Sequence, residues 1–212
     1  MTESIQKLRA AIFVSHPNHE SLVTACCRQI EARLRDAGVS TGGGPQAIEV
    51  ELFDLYEDRF DPVLTLEEIR RKASFEPQIL RYQEAIRRSE LLVFGHPDWW
   101  AGVPAILKGF VDRVFQAGVA FTYDGPDFGP QSLRPLLGGR SALVLATTDR
   151  TPPEGADPIE TFWRQGLFAY CGIDPVTVSI LYGTRNSRLR ARRAWIASAV
   201  EEAHRLLIGA AD

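Results

Sequence analysis

The chain of 212 residues is poor in cysteine, has no long apolar run and carries almost no net charge. Its three cysteines, Cys26, Cys27 and Cys171, are an odd number, and the adjacent pair is badly placed to bridge itself. A disulfide framework is therefore not what organises the fold, and a reducing compartment fits. No stretch approaches the ~20 apolar residues that span a bilayer. The apolar run in MTESIQKLRAAIFVSHPNHES is too short for a secretory leader and lacks a small-residue cleavage pattern. These features predict a cytoplasmic protein without membrane insertion. A formal net charge of −3 leaves no basic field to hold a polyphosphate backbone, which argues against nucleic acid as a main partner. Against these absences, 45% hydrophobic and 24% charged residues suffice for a well-filled core, read as one domain over residues 1–212.

Residues Leu8 to Ser15 are short, aliphatic and ended by His-Pro, which predicts a strand buried on both faces. From Ser21 to Ala37 the apolar spacing turns helical, with Gly38 as a stop. Ser40 to Pro45 (STGGGP) reads as a loop, Ala47 to Leu55 as a second strand, and residues 56–76 as an excursion with a short helix at Leu66–Lys72. Pro77 opens a helix through Arg88, Glu90 to Gly95 is a third strand, and Pro104 opens a helix running to Gly118. Residues 118–139 read as a surface loop. Ser141 to Thr147 and Val176 to Tyr182 complete five strands, with a helix ending near Tyr170 between them and an amphipathic helix from Leu189 after them. Strands alternating with helices predict an α/β fold with a parallel sheet covered on both faces. Ligands of such sheets bind beyond the carboxyl ends of the strands.

Three strand ends stand out there. SHPNHES, Ser15 to Ser21, leads into a helix whose free N–H groups attract an anion, with Ser21 either a phosphate ligand or a plain cap, and His16 either a contact or packing. HPDWWAGVP, His96 to Pro104, places Trp99 and Trp100 where indoles stack on a heterocycle, or where they merely fill a loop. TTDRTPP, Thr147 to Pro153, offers Thr147, Thr148 and Asp149 as donors and acceptors for a ring's polar edge. Other patterns are weaker. Gly38-Val39-Ser40-Thr41-Gly42 fits the letters of a hydrolase nucleophile elbow but follows a helix instead of a strand. His16, His19 and Glu20 have no clear partner cluster for a metal, and none is expected. The cysteines read as small buried hydrophobes, and the arginine run at 188–193 as a solvated helix face, with a contact to the phosphate of NADPH or to a dimer partner as the second reading.

The run HPDWWAGVPAILKGFVDRVFQAGVAFTY, His96 to Tyr123, resembles the strand, loop and helix against the flavin in the NAD(P)H:quinone oxidoreductases. SHPNHES resembles their phosphate turn, DLYEDRFDPVLT (Asp54 to Thr65) their segment after the second strand, and LLGGRSALVLATT their fourth strand. This resemblance implies a flavodoxin-like, doubly wound, five-stranded parallel sheet in three layers. It implies a non-covalent flavin, FAD in preference to FMN, with NAD(P)H as electron donor and a quinone-like acceptor reduced by two electrons in a ping-pong reaction. It further implies a homodimer. Carried over by residue, His16, Ser21 and Leu22 would contact the phosphate region, Pro97, Asp98, Trp99 and Trp100 the ring, and Thr147, Thr148 and Asp149 its pyrimidine edge, with Arg59 to Val63 as the adenosine wall. Tyr123 matches an aromatic of the active-site wall. The chain has no match for the family's Tyr–His pair near the reacting ring, and Tyr123 and Arg150 are the candidates to take that catalytic role. A flavin-binding regulatory subunit of a membrane transport system and a flavodoxin-type electron carrier are the alternative readings. The modest charge and the aromatic 118–139 segment favour the enzyme over the carrier.

Overall fold

Mostly apolar segments bounded by polar turns make the central strands of the computed structural model, which describes residues 7–37, 39–41, 44–46, 48–125 and 131–209. In chain order they are β1 (Arg9–Val14), β4 (Glu49–Asp54), β5 (Leu91–Pro97), β8 (Ser141–Thr147) and β9 (Val176–Leu181), all parallel, in the spatial order β4-β1-β5-β8-β9. β5 is buried along its whole length, as a central strand covered on both faces must be. Helices α1 (Leu22–Ala37) and α7 (Leu189–Gly209) pack together on one face of the sheet. The other face carries α3 (Pro77–Arg88), α4 (Ala105–Val114) and the helix of residues 158–171. The fold is the expected flavodoxin-like α/β architecture.

Aromatic rings knit the second face. Phe13 stacks on Phe53 at 5.2 Å and on Phe94 at 5.3 Å, its register partners on β4 and β5. On the first face α1 lies almost against the backbone of β5: a Cβ at Gly95 would sit 2.4 Å from the Cys27 sulfur. All three cysteines are unbridged and buried, and burial pushes the Cys26 and Cys171 thiols up to about 12.

The expected 56–76 excursion contains α2 (Leu66–Arg71), opened by a capping box in which Thr65 and Glu68 satisfy each other's backbone N–H. Arg113 of α4 ties this excursion down. Its buried guanidinium donates to Glu68 Oε1 at 2.9 and 3.1 Å, to the Asp61 carbonyl at 2.6 Å and to Glu76 at 2.5 Å. Burial acts to raise the Glu68 carboxyl, but Arg113 and Thr65 outweigh it and hold that group at about 2.

Two expectations need correction and a third is refined. Ser40–Pro45 is not simply a loop: β2 (Val39–Thr41) and β3 (Gly44–Gln46) pair antiparallel. Gly38, the expected helix stop, and Gly42 and Gly43 lie outside the described residues, as does Ala47 at the start of the expected second strand. Of the hydrolase-like pattern only Val39–Thr41 is described, and it forms a strand after a helix. The segment 118–139 also carries a hairpin, β6 (Phe121–Tyr123) with β7 (Leu133–Pro135). Three-residue strands are too short for alternation to register. Finally, the helix ending near Tyr170 is α5 (Pro158–Thr161), a π-helical stretch over Phe162–Phe168, and α6 (Ala169–Cys171), where the extra residue in the π turns breaks the 3.6 period.

Replacing Arg113 with Met would strand Glu68 as an unpaired buried charge, and stability in urea unfolding should fall by about 3–5 kcal/mol. A Glu68→Gln change in the same background should recover part of that loss.

Candidate active site

Connections leave β1 toward β4 on one side and β5 toward β8 on the other, so the chain parts above the carboxyl ends of β1 and β5. A cavity of about 770 Å³ opens at that edge, lined by His16, Pro97–Ala101, Thr147–Arg150, Thr184 and Arg185. Nine of the residues singled out from sequence thus meet at one rim: His16, Pro97, Asp98, Trp99, Trp100, Thr147, Thr148, Asp149 and Arg150.

Between β5 and α4 the chain turns tightly, with Trp99 N–H donating to Gly102 O at 3.1 Å and Gly102 N–H to Trp99 O at 3.2 Å. The two central residues, Trp100 and Ala101, have φ of 58° and 60°. That left-handed backbone ordinarily belongs to Gly or Asn and costs other residues about 1–2 kcal/mol each. The strain holds Trp100 fully exposed and Trp99 partly exposed at the cavity mouth. Two large indoles facing water at a concave site are what a flat ligand would cover.

Asp98 is the buried polar centre of the rim. Its side chain is 2% exposed. Oδ2 accepts from Thr148 Oγ1 at 2.8 Å and from Arg150 Nε, while Oδ1 is buried with no partner among the described residues. Arg150 also reaches Asp157 Oδ2 at 3.2 Å, which accepts from the Tyr182 hydroxyl at 2.8 Å. Burial acts to raise the Asp157 carboxyl, but Tyr182, the Ile159 N–H and Arg150 prevail and lower it. Tyr182 itself is pushed up to about 12, by burial first and then by Asp157. The hydrogen bond to Asp98 raises the Arg150 guanidinium further. Arg150 is therefore a fixed cation that orients Asp98 and the 148–150 turn, and it has no proton to give at neutral pH.

The turn before α1 is pre-shaped by its own side chains. Asn18 N–H donates to His16 Nδ1 at 3.0 Å, Glu20 N–H to Asn18 Oδ1 at 2.9 Å, and Thr24 N–H to Ser21 Oγ at 3.2 Å. Ser21 therefore does cap α1, whose first N–H groups lack intrahelical acceptors. Ser21 and Leu22 stand beside the cavity lining and are not part of it. Burial lowers His16, which keeps its imidazole neutral. His19 turns away to Asp54, 3.0 Å from Oδ2, and groups with Asp54 and Glu57 instead of with His16 and Glu20.

Tyr123 lies elsewhere. It lines a second cavity of about 510 Å³ with Leu64, Ile69, Phe115 and Phe121, and its hydroxyl bonds that of Tyr170. Burial, then Tyr123, pushes the Tyr170 phenol up to about 12. Sequence reasoning missed Ala101, Thr184 and Arg185 on the main cavity. Thr184 and Arg185 follow β9 with two residues between, and the carboxyl-edge rule applied to that strand as well would have found them.

Beneath the rim, His96 is fully buried. Trp163 Nε1–H, which can only donate, points to His96 Nε2 at 3.0 Å, so the imidazole proton sits on Nδ1 and is given to the Pro97 carbonyl at 2.9 Å. Burial drives His96 down to about 4. A neutral ring is the only form that serves both bonds.

A family model described as "flavodoxin-like fold" matches residues 9–207, and the chain belongs to that family. Over 196 residues it is 29% identical to an "uncharacterized NAD(P)H oxidoreductase" of Haemophilus influenzae, covering 90% of this chain and 92% of that one. It is 34% identical over 163 residues to NAD(P)H dehydrogenase [quinone] 1 of Cavia porcellus, covering 64% of this chain and 57% of the relative. Among solved structures, Smu.1420 of Streptococcus mutans UA159 superposes with a TM-score of 0.76 at 27% identity, covering 92% of this chain and 98% of its own.

The unfolded chain takes up the His96 proton near pH 6.5 and the folded chain only near 4. Stability should therefore be full above pH 6.5 and fall by about 3 kcal/mol as the pH drops toward 4. Urea unfolding across that range should show a shallower acid limb for His96→Leu than for the natural chain.

Proposed function

We propose that this chain is a flavin-dependent NAD(P)H oxidoreductase that reduces quinones or similar flat acceptors, donor and acceptor taking the same cavity in turn. The observation that carries this reading is the convergence of His16, the strained Trp99–Ala101 turn and Thr147–Arg150 on one cavity at the sheet's switch point. The names carried by its relatives agree with it.

The residues present fit a flavin. The unpartnered Oδ1 of Asp98 awaits a hydrogen-bond donor, as the N–H edge of such a ring provides, and a buried acceptor left without one costs about 1–3 kcal/mol. In this reading His16, Ser21 and Leu22 hold the phosphate end at the start of α1, Pro97–Trp100 lie along the ring, and Thr147, Thr148 and Asp149 face its polar edge. Bound there, the flavin supplies the hydride chemistry. The protein's part is placement: Arg150 steadies Asp98, the indoles exclude water, and neutral His96 fixes the Pro97 carbonyl from below. We assign FAD ahead of FMN, with Arg59–Val63 as the adenosine wall, and a cytoplasmic setting in keeping with the unbridged cysteines.

We also infer a homodimer through the face that carries Val63, Leu66, Ile69 and Phe75, all more than half exposed at 64%, 61%, 57% and 70%. An apolar surface of this kind marks an interface. Tyr123 stands at the adjoining second cavity, and in a dimer it would serve a partner's site instead of its own, which accounts for its distance from the main cavity.

Calorimetric titration with FAD and with FMN should show stoichiometric binding of one of them, and Trp100→Ala should weaken it about tenfold. No binding of either flavin, together with no quinone reduction from NADPH or NADH, would sink the proposal. Light scattering should give twice the chain mass, and Ile69→Glu should halve it.

A further inference from the structure

The arginine-rich stretch after β9 is used by nothing described so far, and it adjoins the main cavity. A 3₁₀ turn, Thr184–Asn186, links β9 to α7, and Thr184 and Arg185 belong to the cavity lining. The turn is rigid. Thr184 N–H and Oγ1 both donate to the Thr148 carbonyl, at 3.0 and 3.1 Å. Arg192 reaches back from α7 to the Thr184 carbonyl at 3.0 Å and to Ser187 Oγ at 2.8 Å.

On this base Arg185 is held by one edge. Its N–H donates to Asp149 Oδ1 at 2.7 Å and its Nε lies 3.2 Å from Oδ2, while the side chain is 84% exposed and both Nη atoms lack a partner among the described residues. Arg188 and Arg190 follow, exposed and without a carboxylate partner among the described residues. Between Asp174 and Glu201 the sequence has no acidic residue at all, although the whole chain is net negative at −3.

The charges are divided between floor and lip. Among the described residues, Asp98 in the lining and Asp157 at the cap of α5 share the cation Arg150. At the lip, Arg185 pairs only with Asp149 among the described residues, and Arg188 and Arg190 come three and five positions further along the chain, exposed. A ligand that is flat and electron-poor at one end and strongly anionic at the other is matched by this gradient, its ring inward and its anion outward. NADPH and NADH differ in such an anion, a phosphate monoester on the adenosine ribose, far from the nicotinamide. Planar guanidinium forks bind a phosphate in bidentate fashion, through charge-assisted hydrogen bonds.

We propose that Arg185, with Arg188 and Arg190, binds the ribose phosphate of NADPH and makes the chain prefer NADPH to NADH. This inference rests on the reading of the main cavity as an NAD(P)H site. The test is to compare kcat/KM for the two nucleotides with one neutral quinone, in the flavin-loaded protein and in its Arg185→Ala and Arg188→Ala/Arg190→Ala variants. The NADPH-to-NADH ratio should be at least about 10 in the natural chain and fall about tenfold in each variant, with Arg185→Lys recovering part of the ratio. Calorimetry with adenosine 2′,5′-bisphosphate needs no turnover: binding should be weakened about tenfold by Arg185→Ala and should decline with added salt. Equal use of both nucleotides, or bisphosphate binding indifferent to the substitutions, would overturn the inference and leave the oxidoreductase reading intact. An unchanged nucleotide ratio with weakened flavin binding would overturn it too, by giving the arginines to the flavin's own phosphates. Failure of both nucleotides to reduce any acceptor would instead strike the underlying reading, and the bisphosphate titration would still decide whether the lip holds a phosphate.

Discussion

Parallel strands of one sheet are joined almost always through right-handed crossovers, and this constraint governs the rest of the molecule. Two crossovers leaving β1 and β5 in opposite directions must lie on opposite faces of the sheet, and nothing can then close the gap above the two carboxyl ends. The cavity is that gap. The excursion of residues 56–76 packs against α3 and α4, and the buried Arg113 clasp fastens it to α4.

Polar groups near the cavity form two layers with different duties. The lower layer is neutral: His96, deprived of water, exchanges hydrogen bonds with Trp163 and the Pro97 carbonyl and so sets where β5 ends and its turn begins. The upper layer is ionic, and Arg150 bridges residues on β5's end, the 148–150 turn and the cap of α5. A change of charge in the upper layer would disturb ligand contacts first, whereas a change in the lower layer would disturb the fold first.

The five strands and most helices were readable because buried apolar runs and amphipathic periods are local and long enough to count. The meeting of His16, Pro97–Trp100 and Thr147–Asp149 followed from topology once the parallel sheet was inferred. What stayed hidden had physical reasons. Asp157 becomes an arginine partner only because the Pro-rich segment folds back, and the hairpins β2–β3 and β6–β7 are too short for any periodicity. Tyr123 was placed at the cavity by resemblance, yet its own chain turns it to Tyr170. Nor could sequence show that Arg150, the suggested stand-in for the Tyr–His pair, is held by two carboxylates.

The placement of the indoles has an optical consequence. Trp163 is sealed in the interior beneath the rim, whereas Trp100 stands wholly in water at the cavity mouth. Emission from the first would be blue and indifferent to dissolved quenchers; emission from the second would be red and open to them. A ligand laid over Trp100 would shield that indole from dissolved quenchers, so the chain reports its own occupancy without a label.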